Sequence, residues 1–483
     1  MSWSAQASSL SRTAEKAQQS GGVRPQQRPA VSVIVLNYNG EKIIGKCLDH
    51  LLAQSFDDFE IVVVDNDSRD GSRAIIEQYL GCGRLSIVHS RRNLGVAGGR
   101  NLGVMHAQGG IIAFIDNDGY AAPDWLAEAV KTMRSDRRIG VVASLVFFAG
   151  RKIVLNGAGG TVNLQGYGGD LCFDVPYEFA QLPRRVLYAM GCGMVVRKDV
   201  LDSVGPLDDT LFNYYDDVEL GIRTWKSGFE VVVAPDAWVD HGFSYSDKIF
   251  GNKVFLCERN RIRTVLKYFP ARRLPVWFAR EAALCARLEH HLLTTMLKAW
   301  LWNLAHLPSA LKWRVKFALR RRPFQHLLDP SWGPFPPPTP NNQAHRPDPA
   351  RARPVLALDG KGDHHQLIFG WYYPENDGTV AFRWSAPVAS ALFRLRKPAL
   401  NCSLTFLATA APSQPCIAVR PLGSLDVIEA ASLRAPAAPG WHTRSVTMHL
   451  PAGDYELILR SEPGFLDHSG RRLGLAVASI GFE

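Results

Sequence analysis

The chain has 483 residues, a formal net charge of +10 and a sequence pI near 9.2. That length exceeds one ordinary core, so two or three domains are expected, and the composition is that of a soluble globular protein. The surplus of cations predicts an anionic partner, while eight scattered cysteines with no C-x-x-C pair argue against a zinc site or a disulfide framework.

Residues 1–30 are rich in Ser, Gln and Ala and lack the apolar stretch of a signal peptide, so a disordered tail is expected. No uninterrupted apolar run reaches the roughly 18 residues of a spanning helix. Thiols in a reducing compartment fit a cytoplasmic chain. Val31–Leu36, VSVIVL, reads as a buried parallel strand ending in Asn37-Tyr38-Asn39-Gly40. Ile44, Cys47, Leu48 and Leu51 then recur at helical spacing. Ile61–Val64 is a second strand, ending in Asp65-Asn66-Asp67-Ser68, and Leu85–Val88 a third. Asn93–Gly103, NLGVAGGRNLG, is a glycine-rich turn into a helix. Its glycines serve either close packing on a sheet or approach to a ligand, with Arg100 supplying charge.

Ile111–Ile115 is a fourth strand and runs into Asp116-Asn117-Asp118. Side chains two apart on extended backbone share a face, so Asp116 and Asp118 can address one ligand. Two hard oxygen donors suit Mg²⁺ or Mn²⁺, which in turn can hold a diphosphate. Alternating strands and helices predict a doubly wound parallel sheet, with ligands beyond the carboxyl ends of its strands. The glycine-rich stretch does not follow the first strand, which argues against a dinucleotide enzyme.

In that order and spacing, VSVIVLNYNG, VVVDNDSRDGS, NLGVAGGRNLG and FIDND resemble the inverting GT-A glycosyltransferases of family 2, particularly the bacterial rhamnosyltransferase-like branch, over about residues 31–270. The resemblance implies a GT-A α/β domain, a nucleoside-diphospho-sugar donor and a divalent metal. It implies that Asn37, Tyr38, Asn39, Asp65, Asn66 and Asn117 hold the nucleotide. Arg100 would lie at the donor region, and Asp116 and Asp118 at the metal and diphosphate. Tyr188–Val196, YAMGCGMVV, matches backbone that similar proteins place near the donor sugar. Phe212–Arg223, FNYYDDVELGIR, matches the acidic segment that usually reads Glu-Asp; Asp217 falls on the position of the base and Asp216 on its neighbour, one methylene shorter. His241, in WVDHGFSYS, falls where similar proteins supply an imidazole near metal or diphosphate. The chemistry implied is proton removal from an acceptor hydroxyl, followed by attack that inverts the anomeric carbon.

The expected domains are a GT-A domain over 31–250, a basic helical extension over 251–322, a proline-rich linker over 323–354 and an all-β sandwich over 355–483. The extension combines Trp277, Trp300, Trp302 and Trp313 with Lys312, Arg314, Lys316 and Arg320–Arg322. That mixture suits peripheral contact with the inner face of a membrane, or equally a solvated basic face. No nucleic-acid motif accompanies the charge. Ser445–Arg460, SVTMHLPAGDYELILR, reads as a hairpin. GWYYPE and Phe382-Arg383-Trp384 resemble accessory sandwich domains of bacterial glycosyltransferases, in which Trp371, Tyr372 and Trp384 serve as core or as stacking platforms for sugar. The expected function is sugar transfer to a cell-surface glycan or lipid-linked oligosaccharide. The alternative is a binding protein for nucleotide sugars or glycans with a degenerate transferase domain.

Overall fold

A computed structural model describes residues 28–331 apart from 150, 174, 176, 178–179, 243–252, 287–289, 319 and 321–323, and, beyond 331, strands and turns between 355 and 482. The expected tail and proline-rich linker lie largely outside the described residues. The chain divides into two compact units, Met1–Phe173 with Ala180–Pro334 and Asp174–Phe179 with Phe335–Glu483.

The first unit begins β1 (Val31–Asn37), α1 (Ile44–Leu52), β2 (Phe59–Asp65), α2 (Ser72–Glu77), β3 (Leu85–His89), α3 (Gly95–His106) and β4 (Ile111–Asp116). It continues β5 (Gly119–Ala121), α4 (Trp125–Ser135), β6 (Ile139–Phe148), β7 (Arg151–Gly157), β8 (Gly160–Val162) and β9 (Gly168–Asp170). Then come β10 (Met194–Arg197), α5 (Lys198–Val204), α6 (Asp216–Lys226) and β11 (Glu230–His241). Four helices close it: α7 (Lys253–Tyr268), α8 (Leu274–Cys285), α9 (His290–Ala305) and α10 (Leu307–Ala318).

The sheet order is β3-β2-β1-β4-β10-β6-β11-β5, with β7 beside β6. The expected α/β fold is present, of GT-A-like curled form, but the sheet is mixed and not all-parallel. β10 is antiparallel to both β4 and β6, and β5 is antiparallel to β11. A parallel neighbour needs a crossover, usually a helix; the chain between β9 and β10 forms none among the described residues. Alternate residues of β1 enter opposite cores. Val31, Val33 and Val35 pack with α1 and α4 on one face, while Ile34 and Leu36 pack toward α3, α6 and α7 on the other. Covering both faces is why these strands read as unbroken apolar runs.

The helical extension turns much of the charge of its first helix inward, while Lys298, Lys312 and Lys316 further along remain exposed. Arg259, Arg261, Arg263 and Lys267 of α7 are all buried. Arg261 makes a two-point ion pair with Glu281 (2.7 Å on each arm), and Arg263 and Lys267 both reach Asp208 at 2.9 and 2.8 Å. Lys267 also pairs with Glu219. Trp277 is buried, and Arg314 donates to the backbone carbonyls of Leu266 and Phe269 at the end of α7. No helix among the described residues is long and apolar enough to cross a membrane.

The second unit is all-β, as expected, with its own core around Phe393, Leu404, Leu457 and Ile480. The hairpin expected over Ser445–Arg460 does not form. Gly440–Leu450 pairs with Ala399–Ala408, whereas Gly453–Arg460 pairs with Ala381–Leu395 and Cys416–Pro421. Strand alternation was legible there, but the short turn carries the chain between different parts of the sheet. The side chains of Trp371, Tyr372 and Trp384 lie outside the described residues.

Candidate active site

Parallel register brings three polar strand ends to one edge. Asn37 stands opposite Asp65, and Leu36 opposite Asp116. Asn37 is fully buried; its Nδ2 donates to Ser68 Oγ (3.1 Å) and Ser72 Oγ (3.0 Å), and its Oδ1 accepts from Asn117 Nδ2 (2.9 Å). Asn66 likewise accepts from the Leu94 amide (2.9 Å) and donates to Asn93 Oδ1 and the Gly95 carbonyl, both at 3.1 Å. These amides position the loops around the edge. Asp65 lies 3.3 Å from His89 Nδ1 and takes the Ser68 amide at the same distance. Tyr38 and Asn39 are half-buried at the rim, with Asn39 in the left-handed region at φ 51.

Arg100 joins the two acidic motifs. Its buried guanidinium donates from Nη1 to Asp216 Oδ2 (2.7 Å) and from Nη2 to Asp116 Oδ1 (2.9 Å). Burial works against its charge, but Asp116, Asp216 and Asp217 outweigh burial and hold its pKa above the ordinary value. A Cβ at Gly191 would stand 2.6 Å from Arg100 Nη2, so a glycine there leaves the guanidinium its place. Arg100 is an internal bridge between the carboxylates of Asp116 and Asp216.

Asp216 is thus anchored by Arg100, whereas Asp217 is half-buried and accepts from the Val218 amide at 2.8 Å. Burial, then Asp216 and Asp170, push Asp217 up to about 7, against the Val218 amide and Arg100. Asp170, at the end of β9, accepts from the Tyr188 hydroxyl at 2.9 Å. Burial pushes Asp170 up to about 6, against the pull of Tyr188 and His241. No sequence signal singled out Asp170, because the glycine-rich strand it closes has no apolar periodicity.

The segment that delivers these carboxylates is strained. Phe212, Tyr214 and Tyr215 have φ of 63, 68 and 69, a region that costs non-glycine residues energy unless the surroundings impose it. Asn260 Nδ2 donates to three carbonyls of this turn, those of Leu211 (3.0 Å), Asn213 (2.7 Å) and Tyr214 (2.9 Å). From the other side the Val96 amide donates to the Phe212 carbonyl at 2.6 Å. Gly95, at φ 70, has no room for a Cβ against that carbonyl. A Cβ at Gly99 would strike Leu36, and one at Gly103 would strike Ile34. Close packing therefore accounts for the glycine-rich stretch.

Asp116, Cys192 and His241 each offer a ligand atom, all within 4.8 Å of one another. His241 ends β11; its Nδ1 lies 3.0 Å from Asn156 Oδ1 and its Nε2 3.4 Å from Asp118 Oδ1. Burial works against its charge, and Asp118 and Asp116 outweigh burial. The carboxylate and the imidazole suit a divalent cation such as Mn²⁺, while burial and the neighbouring Asp116 and Asp118 hold Cys192 as a protonated thiol, a poor ligand for a hard cation. Cys192 was legible only as one of the small residues in YAMGCG. Asp118 joins the group through His241.

The curled α/β sheet with its acidic edge is the nucleotide-sugar transferase fold of GT-A type. Residues 32–204 match the model described as Glycosyl transferase family 2, so that segment is a domain of this family. Glycosyltransferase AglE of Haloferax volcanii is 30% identical over 211 residues, which is 43% of this chain and 65% of that protein. Uncharacterized glycosyltransferase YfnE of Bacillus subtilis is 26% identical over 282 residues, 48% of this chain and 71% of that protein. The chain spans 31%, 56% and 65% of the length of three curated relatives it matches. Among solved structures, mannosyltransferase PcManGT of Pyrobaculum calidifontis, in complex with GDP-Man and Mn²⁺, shares 22% identity at a TM-score of 0.36, covering 65% of this chain and 88% of that one. TarS 1-349 of S. aureus with UDP-GlcNAc shares 19% identity at a TM-score of 0.40, covering 56% and 79%.

Proposed function

We propose that this chain transfers a sugar, with inversion, from a nucleoside diphosphate to a hydroxyl of a cell-surface glycan or lipid-linked oligosaccharide. The observation that carries the reading is Asp217, a half-buried carboxylate with its pKa raised to about 7, set beside an acidic edge that suits a metal. A carboxylate with that affinity for a proton suits general-base work near neutral pH.

In this reading Asp217 takes the proton of the acceptor hydroxyl. The hydroxyl oxygen forms its bond to the anomeric carbon on the face opposite the diphosphate, and the bond to the diphosphate breaks. Asp116, Asp118 and His241 would hold a divalent cation, Mn²⁺ or Mg²⁺, which offsets charge on the departing diphosphate when bound. Arg100 keeps Asp116 and Asp216 in register with each other. Tyr38, Asn39 and Asp65 face the nucleotide, within a frame set by Asn37, Asn66 and Asn117. The motif resemblance supports a rhamnosyltransferase-like donor preference. The domain organisation that goes with the reading is a catalytic domain over 31–250, a helical extension over 251–322 and an accessory domain over 355–483.

The test is calorimetric binding of nucleoside diphosphates and their sugars, with Mn²⁺ and with chelator, beside turnover of the Asp217→Asn variant. Metal-dependent binding of one nucleotide, weakened in Asp118→Ala, is expected. Asp217→Asn should lose about 10²–10⁴-fold in turnover while donor binding stays unchanged. Wild-type turnover in Asp217→Asn would overturn the base. Binding without turnover in the wild type would instead favour the non-catalytic alternative.

A further inference from the structure

Helices α9 and α10 carry a continuous apolar stripe that the first unit leaves uncovered. Leu297 (51% exposed), Leu301 (65%), Leu304 (58%), Leu311 (47%) and Val315 (66%) succeed one another at spacings of three, four or seven residues, with exposed Pro308 filling the longer gap. That spacing keeps them on one side of a helix. Only His306 separates the two helices, and the helical bonding runs through it: the His306 amide donates to Trp302 and the Ala310 amide to His306. The opposite side is committed to the core. Met296, Ala299, Asn303, Ala310 and Phe317 are buried, and Asn303 Nδ2 donates to the Arg259 carbonyl of α7 at 2.9 Å.

Beside the stripe stand the exposed cations Lys298 and Lys312, and residues 290–318 contain no Asp or Glu. An apolar stripe on helices that carry cations and no carboxylate of their own is complementary to an anionic surface with an apolar interior. The geometry points to α9–α10 as an interfacial anchor that lies flat on an anionic lipid bilayer, its leucines in the acyl boundary and its lysines among the headgroups. The anchor does not depend on the transfer reading.

The test is flotation of the full chain with vesicles of phosphatidylcholine alone and with added phosphatidylglycerol. Binding to the anionic vesicles, weakened by salt, is expected. The double variant Leu301→Glu/Val315→Glu should lower it by about tenfold or more, because two charges enter the acyl boundary. Lys298→Gln/Lys312→Gln should lower binding to the anionic vesicles only. Leu80→Glu, at a 45% exposed position outside the stripe, should leave binding unchanged. Absence of binding, or binding indifferent to Leu301→Glu/Val315→Glu, overturns the anchor. So does a chain that ignores vesicles but self-associates through the stripe, becoming monomeric in that variant. Donor binding measured without vesicles reports on sugar transfer separately, so either idea can fail alone.

Discussion

Asp216 and Asp217 are sequence neighbours with different electrostatic surroundings. Arg100 contacts Asp216 directly at 2.7 Å, while burial, Asp216 and Asp170 raise the pKa of Asp217 to about 7. Activity is therefore expected to fall as pH drops below about 7, as Asp217 takes up a proton. Asp170→Asn removes a like charge and should move that limb of the pH–rate profile downward by on the order of one unit; an unmoved limb would argue that Asp170 does not act on Asp217. The same shift has a consequence for stability. The folded chain keeps the Asp217 proton up to about pH 7, whereas the unfolded chain releases it near the ordinary carboxylate value of 3.8. This group's contribution is thus greatest at low pH and is lost as pH rises through the folded value. Asp217→Asn should then melt progressively higher than wild type as pH is raised from about 5 to about 8, which thermal melts without donor can check.

At the scale of elements, the turn before α6 is a joint between α3 and α7. Three left-handed residues persist there because Asn260 and the start of α3 bond the carbonyls they expose. Asn260→Ala takes a donor from the Asn213 and Tyr214 carbonyls, the Leu211 carbonyl keeping Arg259 and the Asn213 amide, and should cost about 1–3 kcal/mol. Catalysis should fall more than donor binding does, because Asp217 hangs from this turn while Tyr38 and Asp65 do not. Gly95→Ala adds a Cβ at φ 70 against the Phe212 carbonyl and should destabilise by a similar amount, about 1–3 kcal/mol. Thermal melts beside kcat and KM separate these effects. The strands and first helices of this unit were legible because alternation and helical spacing are local. The antiparallel β10 was not, since direction within a sheet depends on the route the chain takes to reach it.

For the whole molecule, the two units have separate cores that share no residue. A fragment ending after residue 331 is expected to fold, to melt in one transition and to bind the donor as the full chain does. Loss of donor binding in a folded fragment would assign part of the site to the second unit. The net charge of +10 also reads differently in three dimensions. Arg100, Arg261, Arg263 and Lys267 are buried ion-pair partners of acidic residues, so they add less to the outward field than a residue count implies.

Sequence alone determined the α/β class of the first unit, the all-β class of the second and the acidic motifs at 116–118 and 216–217. Each of these is written in neighbouring residues, through period, turn chemistry or motif. Tertiary structure decided which charges meet. Arg100 and Asp216 lie 116 positions apart, and Asp170, Tyr188 with Cys192, and His241 come to the site from three separate segments. No local pattern carries such pairings, because the sheet order and the strained turn before α6 bring those segments together. The same holds for the basic helix α7: its composition reads the same whether its arginines face water or carboxylates, and only the fold supplies Glu281 and Asp208 as partners.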